Sequence, residues 1–242
     1  MNNPKVEAAI LTIGSLFWEK GVRATWRSQR LKENEAMRVS VPIRYGRCSG
    51  SRGGTYTMIF SSDARDADAG RGMLIPCRNA PRRPTDLIYE AEILWAAETN
   101  ATTADGSISR SWGCVAIMVN PQWEDGDAFV RAWQERFREE VTCHSATRVV
   151  SDDGHLRIHW PTDDQGKPVD VHVILATANV PSLSGHEYPS AEAVATAWNT
   201  AQVRESEYFF ENRRAGITTA DDEMINALLN LGVRQHGASL LR

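Results

Sequence analysis

The chain has 242 residues, 42% of them hydrophobic and 24% charged, with a formal net charge of −4. That balance suits one folded domain with a sizeable core and excludes a low-complexity or disordered chain. No apolar run reaches the roughly 20 residues of a membrane-spanning helix, and the start MNNPKVEAAI lacks the basic head and apolar stretch of a secretion signal.

The first element is the apolar run Ala8 to Ile13, expected as a buried strand. Gly14 and Ser15 break it before Leu16, Phe17 and Trp18 resume it. Gly14 marks either an ordinary strand end or a place where a ligand approaches the backbone. Residues 20–52 then carry nine basic side chains against Glu33 and Glu35, a local charge of +7 that leaves −11 for the remainder. Such a block reads as a solvated face or as a site for an anion: a carboxylate, a phosphate or nucleic acid. Its few aromatics, Trp26 and Tyr45, offer little for base stacking, so nucleic acid is the weaker partner.

Strands follow at MRVSVPIRYG (37–46), TYTMIFSS (55–62) and GMLIPC (72–77), with turn chemistry in the connectors between them. The loop SGSRGGTY (49–56) has neither the spacing of a phosphate loop nor that of a dinucleotide fingerprint. It reads as a hairpin or lid whose Arg52, with Arg44 and Arg47, can grip a carboxylate in bidentate fashion.

TDLIYEAEILWAAE (85–98) sets Leu87, Ala91, Leu94 and Trp95 at helical spacing, with Thr85 or Asp86 placed to cap it. Glu98 ends that apolar stripe. Partial burial there would lift a carboxylate toward the range of a general acid or base; the plainer reading is an exposed helix end.

SWGCVAIMVNP (111–121) returns to strand, and residues 125–141 form an amphipathic helix with Phe129, Val130, Trp133, Phe137 and Val141 on one stripe. A β-meander is expected next: TRVVS, HLRIHW and PVDVHVILATA, joined by DDG and TDDQGK turns. Ser190 caps a helix through Trp198 that runs on toward Tyr208 and Phe210. Gly216 closes it, and Thr219 opens another.

Three histidines, His155, His159 and His172, could share a sheet face. Strand residues four apart stand about 13 Å from one another, though, so no metal site is expected. The cysteines Cys48, Cys77, Cys114 and Cys143 form no CxxC pair and read as reduced thiols of a cytoplasmic protein.

Taken in order, these motifs resemble the gamma-glutamylcyclotransferase family, particularly its ChaC-type branch. TIGSLFW is similar to the YGSL(I/M)W signature, SGSRGGTYTMIFS to the RG…PGR…TL hairpin, and GRGMLIPC to the GVAY strand. AEILWAAE resembles the helix ending YLxxRE, and VHVILATANVPSLSG the later A…Y strand. SEYFFENRRAGITTADDEMINALL resembles the closing NxEYLxNT…GIxDxxLxxL helices. The likeness spans most of the chain, with an inserted helix and hairpin around 121–168. Ile13 stands where the signature has tyrosine, and Ala97 where the helix motif has arginine.

The resemblance implies an α+β fold built as a small mixed β-barrel flanked by helices, in one domain over 1–242. It also implies a cofactor-independent reaction in which a γ-glutamyl group cyclises to 5-oxoproline and releases an amine or peptide. Glu98 becomes the general acid/base, the Gly14, Ser15 and Leu16 backbone a cradle for substrate, and Arg44 and Arg52 partners for its carboxylates. The expected partner is a small γ-glutamyl or other anionic ligand, with no membrane and no metal. The departures at Ile13 and Ala97 open the alternative of a catalytically retired binding protein that recognises an anion or nucleic acid through 20–52.

Overall fold

A computed structural model describes residues 6–63, 70–184, 187–201 and 206–229. His186, His236, the loop at 64–69 and the helix continuation across 202–205 lie outside them.

The architecture is α+β. Strand β1 (Ala8–Thr12) has every residue buried, as its unbroken apolar run requires of a strand covered on both faces. It pairs antiparallel with β5 (Gly70–Pro76) and parallel with β9 (Val173–Asn179), at the centre of a seven-stranded mixed sheet. Beyond β5 lie β2 (Met37–Val41) and the short β8 (Thr162–Asp163). Beyond β9 lie β7 (Gly113–Val119) and the short β6 (Ser109–Arg110). The expected small barrel is not what these pairings make. Among the described residues β6 and β8 each have one strand neighbour, so the sheet is open.

The stretch 37–46, expected as one strand, is two. Pro42 has no N–H to continue the ladder, and the chain leaves the sheet there to form β3 (Ile43–Ser49). With β4 (Thr55–Phe60), β3 makes a separate hairpin whose register slips between Tyr45 and Arg47.

Two helices precede that hairpin. α1 (Ser15–Trp18) is a single turn, and α2 (Val22–Arg30) takes up part of the basic block. α3 (Pro84–Glu98) starts one residue before the expected Thr85. Pro84 occupies its first turn, where a missing N–H is harmless, and the Asp86 carboxylate accepts the Arg82 and Arg83 N–H groups at 3.0 Å each.

The insertion contributes α4 (Asp127–Glu140) and α5 (His144–Thr147). α4 buries the Phe129–Trp133–Phe137 stripe as its spacing foretold. Of the expected meander, PVDVHVILATA supplies β9, whereas TRVVS and HLRIHW form no strands: 150 and 156 share one isolated bridge, as do 117 and 155. Ser151 closes the turn between them: its hydroxyl accepts the His155 N–H at 2.9 Å, and its own N–H donates to the His155 carbonyl at 2.9 Å. α6 (Ala191–Thr200), α7 (Ser206–Arg214) and a helical stretch over 222–229 complete the chain. No helix among the described residues is long and apolar enough to cross a membrane.

Candidate functional site

Strands β1 and β9 run parallel, and their C-terminal ends open into a cavity of about 720 Å³. Ile13, Ser15 and Leu16 wall it from the end of β1, and Thr177 and Asn179 from the end of β9. Glu98 enters from the C-terminus of α3, Arg47 and Thr57 from the hairpin, and Tyr208 from α7. Ser15 and Glu98, more than eighty residues apart in the chain, thus face one space.

A single guanidinium ties them together. Arg23 of α2 donates to Ser15 Oγ at 2.7 Å, to the Ala97 carbonyl at 3.2 Å and to the Glu98 carbonyl at 2.9 Å, and it pairs with Glu19. The two carbonyls belong to the last turn of α3, where orphaned acceptors and the helix dipole favour a cation. Position 97 carries no arginine, yet its carbonyl receives one from α2. One turn along, buried Arg27 donates to the Leu16 carbonyl at 2.7 Å and the Glu19 carbonyl at 3.1 Å. Burial pulls its guanidinium below its ordinary pKa.

Gly14 has φ +91° and ψ −145°, a conformation reserved for glycine. A Cβ there would overlap the Tyr208 hydroxyl oxygen. This corrects the expectation for Gly14. The absent side chain makes room for a tyrosine of the protein itself, while Ser15 and Leu16 line the cavity. The Met58 N–H donates to the Tyr208 hydroxyl at 3.2 Å, which leaves that hydroxyl's own proton free for another acceptor. Burial raises the Tyr208 pKa, so it is a neutral donor. Ile13 offers hydrocarbon at the cavity wall, and the hydroxyl against Gly14 comes from α7.

Glu98 is half-buried at the cavity wall. Its Oε2 accepts the Thr177 hydroxyl at 3.4 Å. Arg52 lies at the mouth, paired with Glu19 at 3.1 Å and set over the Tyr208 ring at 4.9 Å. Arg44 is elsewhere: it pairs with Asp221 at 3.1 Å and is not part of the cavity wall. The arginine that does enter is Arg47. The bulge at Gly46 sets Arg47 opposite Thr57, another cavity residue; an unbroken register would pair it with Tyr56 and turn its side chain to the other face. The guanidinium rests on the Trp112 ring at 4.2 Å.

The rest of the basic block is largely committed. Arg27 pairs with Glu33, Arg30 with Glu90, Lys32 with Glu35 and Arg38 with Asp164. Two of the three histidines expected on one sheet face have partners in the protein as well. His155 contacts Asp153 at 3.1 Å, and His172 Nδ1 accepts the Glu7 N–H at 2.9 Å while its ring stacks on Trp123. Among the described residues no three His, Cys, Asp or Glu side chains gather as a metal site. No residue of 121–168 lines the cavity; α4 packs behind α3, with Arg136 reaching Glu92 at 3.8 Å.

Of the residues expected from the sequence, Ser15, Leu16, Arg52 and Glu98 line this cavity and Arg44 does not; Arg23, Arg47 and Tyr208, absent from the expected site, line it as well. A bulge carries no short-range signal beyond a glycine inside a strand. No protein-family model matches the chain, and no curated protein matches it.

Proposed function

We propose that this cavity is the active site of a gamma-glutamylcyclotransferase-like enzyme, which closes a γ-glutamyl group into 5-oxoproline and releases an amine or peptide. The observation that carries the reading is the meeting of the Ser15–Leu16 turn and the Glu98 carboxylate in one ligand-sized cavity, joined through Arg23. The resemblance in sequence named these same two regions.

The nucleophile is already in the substrate: the α-amine attacks the γ-carbonyl of its own residue. The protein's main task is to hold the chain folded, converting proximity into rate. As the new C–N bond forms, Glu98 takes a proton from the amine. It returns that proton to the departing nitrogen as the original amide C–N bond breaks, so protons balance without a cofactor. The oxygen that gains charge needs donors near it. The Tyr208 hydroxyl and the turn after β1 stand at the cavity to supply them.

The test is production of 5-oxoproline from a panel of γ-glutamyl amines and peptides, with the native chain and Glu98→Gln. Turnover by the native chain with a loss of about 10²–10⁴-fold in the variant is expected. Undiminished activity in Glu98→Gln removes Glu98 from the mechanism. A second reading, a binding protein with the same site and no turnover, is favoured by the hydrocarbon at Ile13. Ligand binding without 5-oxoproline across the whole panel would establish it in place of the enzyme.

A further inference from the structure

Arg47 makes no hydrogen bond or ion pair through its guanidinium among the described residues, although it is half-buried. This is unusual for a buried charge, which costs several kcal/mol to desolvate unless something compensates it. Burial accordingly draws its pKa down, with Glu98 the main opposing charge. The Trp112 face supplies cation–π attraction from one side, and Trp112 is itself backed by buried Trp95 at 4.9 Å. Arg47 thus lines the cavity with one aromatic contact and no hydrogen-bond or ion-pair partner among the described residues. A planar fork of unsatisfied donors matches the two oxygens of a carboxylate.

The contrast with the other cavity arginines is sharp. Arg23 is held by Ser15, Glu19 and two carbonyls, and Arg52 by Glu19. Arg110, also at the wall, is exposed and remains hydrated. Only Arg47 combines desolvation, an aromatic contact and donors without a partner among the described arginines of the cavity wall.

We infer that Arg47, carried on Trp112, is an anion-recognition residue of the cavity, and that the ligand places a carboxylate against it. The placement of that carboxylate relative to the reacting amide rests on the cyclisation reading; the anion site does not.

Two probe pairs separate these statements, both measured by calorimetry on the full chain. Glutarate against glutaramide asks whether the cavity prefers carboxylate at all. The native chain should bind glutarate about ten- to a hundredfold more tightly, the yield of a charge-assisted pair. Arg47→Met should abolish that preference and Arg47→Lys recover part of it, while Arg44→Met, altered away from the cavity, should keep it. Equal binding of the two probes by the native chain, no binding of glutarate, or an undiminished preference in folded Arg47→Met each overturns the anion site. γ-Glutamylglycine against γ-glutamylethylamide, with Glu98→Gln to stop turnover, then tests the orientation. If the first pair behaves as expected and this second pair shows no Arg47-dependent preference, the anion site stands and its assignment to the leaving group of a γ-glutamyl substrate falls. A cooperative urea-unfolding transition of Arg47→Met verifies that the variant is folded.

Discussion

The two walls that flank Glu98 use arginine in opposite ways. On the α2 side, Arg23 and Arg27 are surrounded by acceptors and hold the β1–α1 turn against the end of α3. On the hairpin side, Arg47 has an aromatic support and open donors. A coordinated guanidinium is part of the scaffold; an uncoordinated one beside a cavity is held ready for something that is not the protein. Lack of a partner is not sufficient by itself. Asp222 is 3% exposed with Oδ2 unpartnered, as are the Tyr45 hydroxyl and Asn212 Nδ2 among the described residues, yet Asp222 lines no described cavity. What separates Arg47 from Asp222 is the space in front of it.

Substitutions can break or sharpen this comparison. The largest effect is expected at Arg23→Met, which strips hydrogen bonds from Ser15 Oγ and two α3 carbonyls at once. Stability should fall by about 3 kcal/mol, and kcat for any 5-oxoproline-forming substrate should fall more than KM rises. A change confined to KM would make Arg23 a binding residue and dissolve the contrast between the walls. Arg47→Met should leave urea-unfolding stability within about 1 kcal/mol of the native value, since no protein contact but the Trp112 stack is lost.

Close behind Arg23 comes Gly14→Ala. It forces a side chain into a glycine-only conformation and against the Tyr208 hydroxyl. A loss of about 2–3 kcal/mol is expected, and the paired change Gly14→Ala with Tyr208→Phe should recover part of it. Failure of that rescue would mean that backbone strain alone requires the glycine.

Asp222 tests the orphaned group that has no cavity. Burial lifts its pKa from 3.8 to about 6, and hydrogen bonds from the Thr219 N–H and hydroxyl only partly oppose this. The folded state therefore holds the proton more tightly than the unfolded chain. The associated stability is fully present below about pH 4 and lost as pH rises through about 6. The loss is on the order of 3 kcal/mol. Asp222→Asn keeps the Thr219 acceptor and should flatten unfolding stability between pH 4 and 7; an unchanged slope would assign the dependence to other groups. The smallest effect belongs to Arg44→Ala. It breaks a partly exposed pair with Asp221, worth about 0.5–1 kcal/mol, and leaves turnover untouched.

Much of this molecule was legible in the chain. The unbroken apolar run of β1, the Phe129–Trp133–Phe137 stripe of α4 and the helix ending at Glu98 follow from periodicity, because each element buries one side of itself whatever its neighbours are. The pairing of the Ser15–Leu16 turn with Glu98 was legible only through the order of motifs, which says that two regions belong together without saying what joins them. Three features lay beyond it. α2 was hidden because its arginines look like solvent-facing charge until tertiary acceptors, the Leu16, Glu19, Ala97 and Glu98 carbonyls, turn them inward. The 147–160 segment has strand-like composition, yet it folds as a tight turn with isolated bridges only.

The choice between Arg44 and Arg47 was settled by one extra residue, Gly46, in a ladder that exists only once β3 meets β4. The sequence by itself determined β1, α4 and the buried helix α3, with the carboxylate that ends it. Tertiary structure decided which charges are used up by the protein and which remain for a ligand. The physical reason is that a guanidinium's role depends on the acceptors that surround it in space, and those acceptors come from segments far away in the chain.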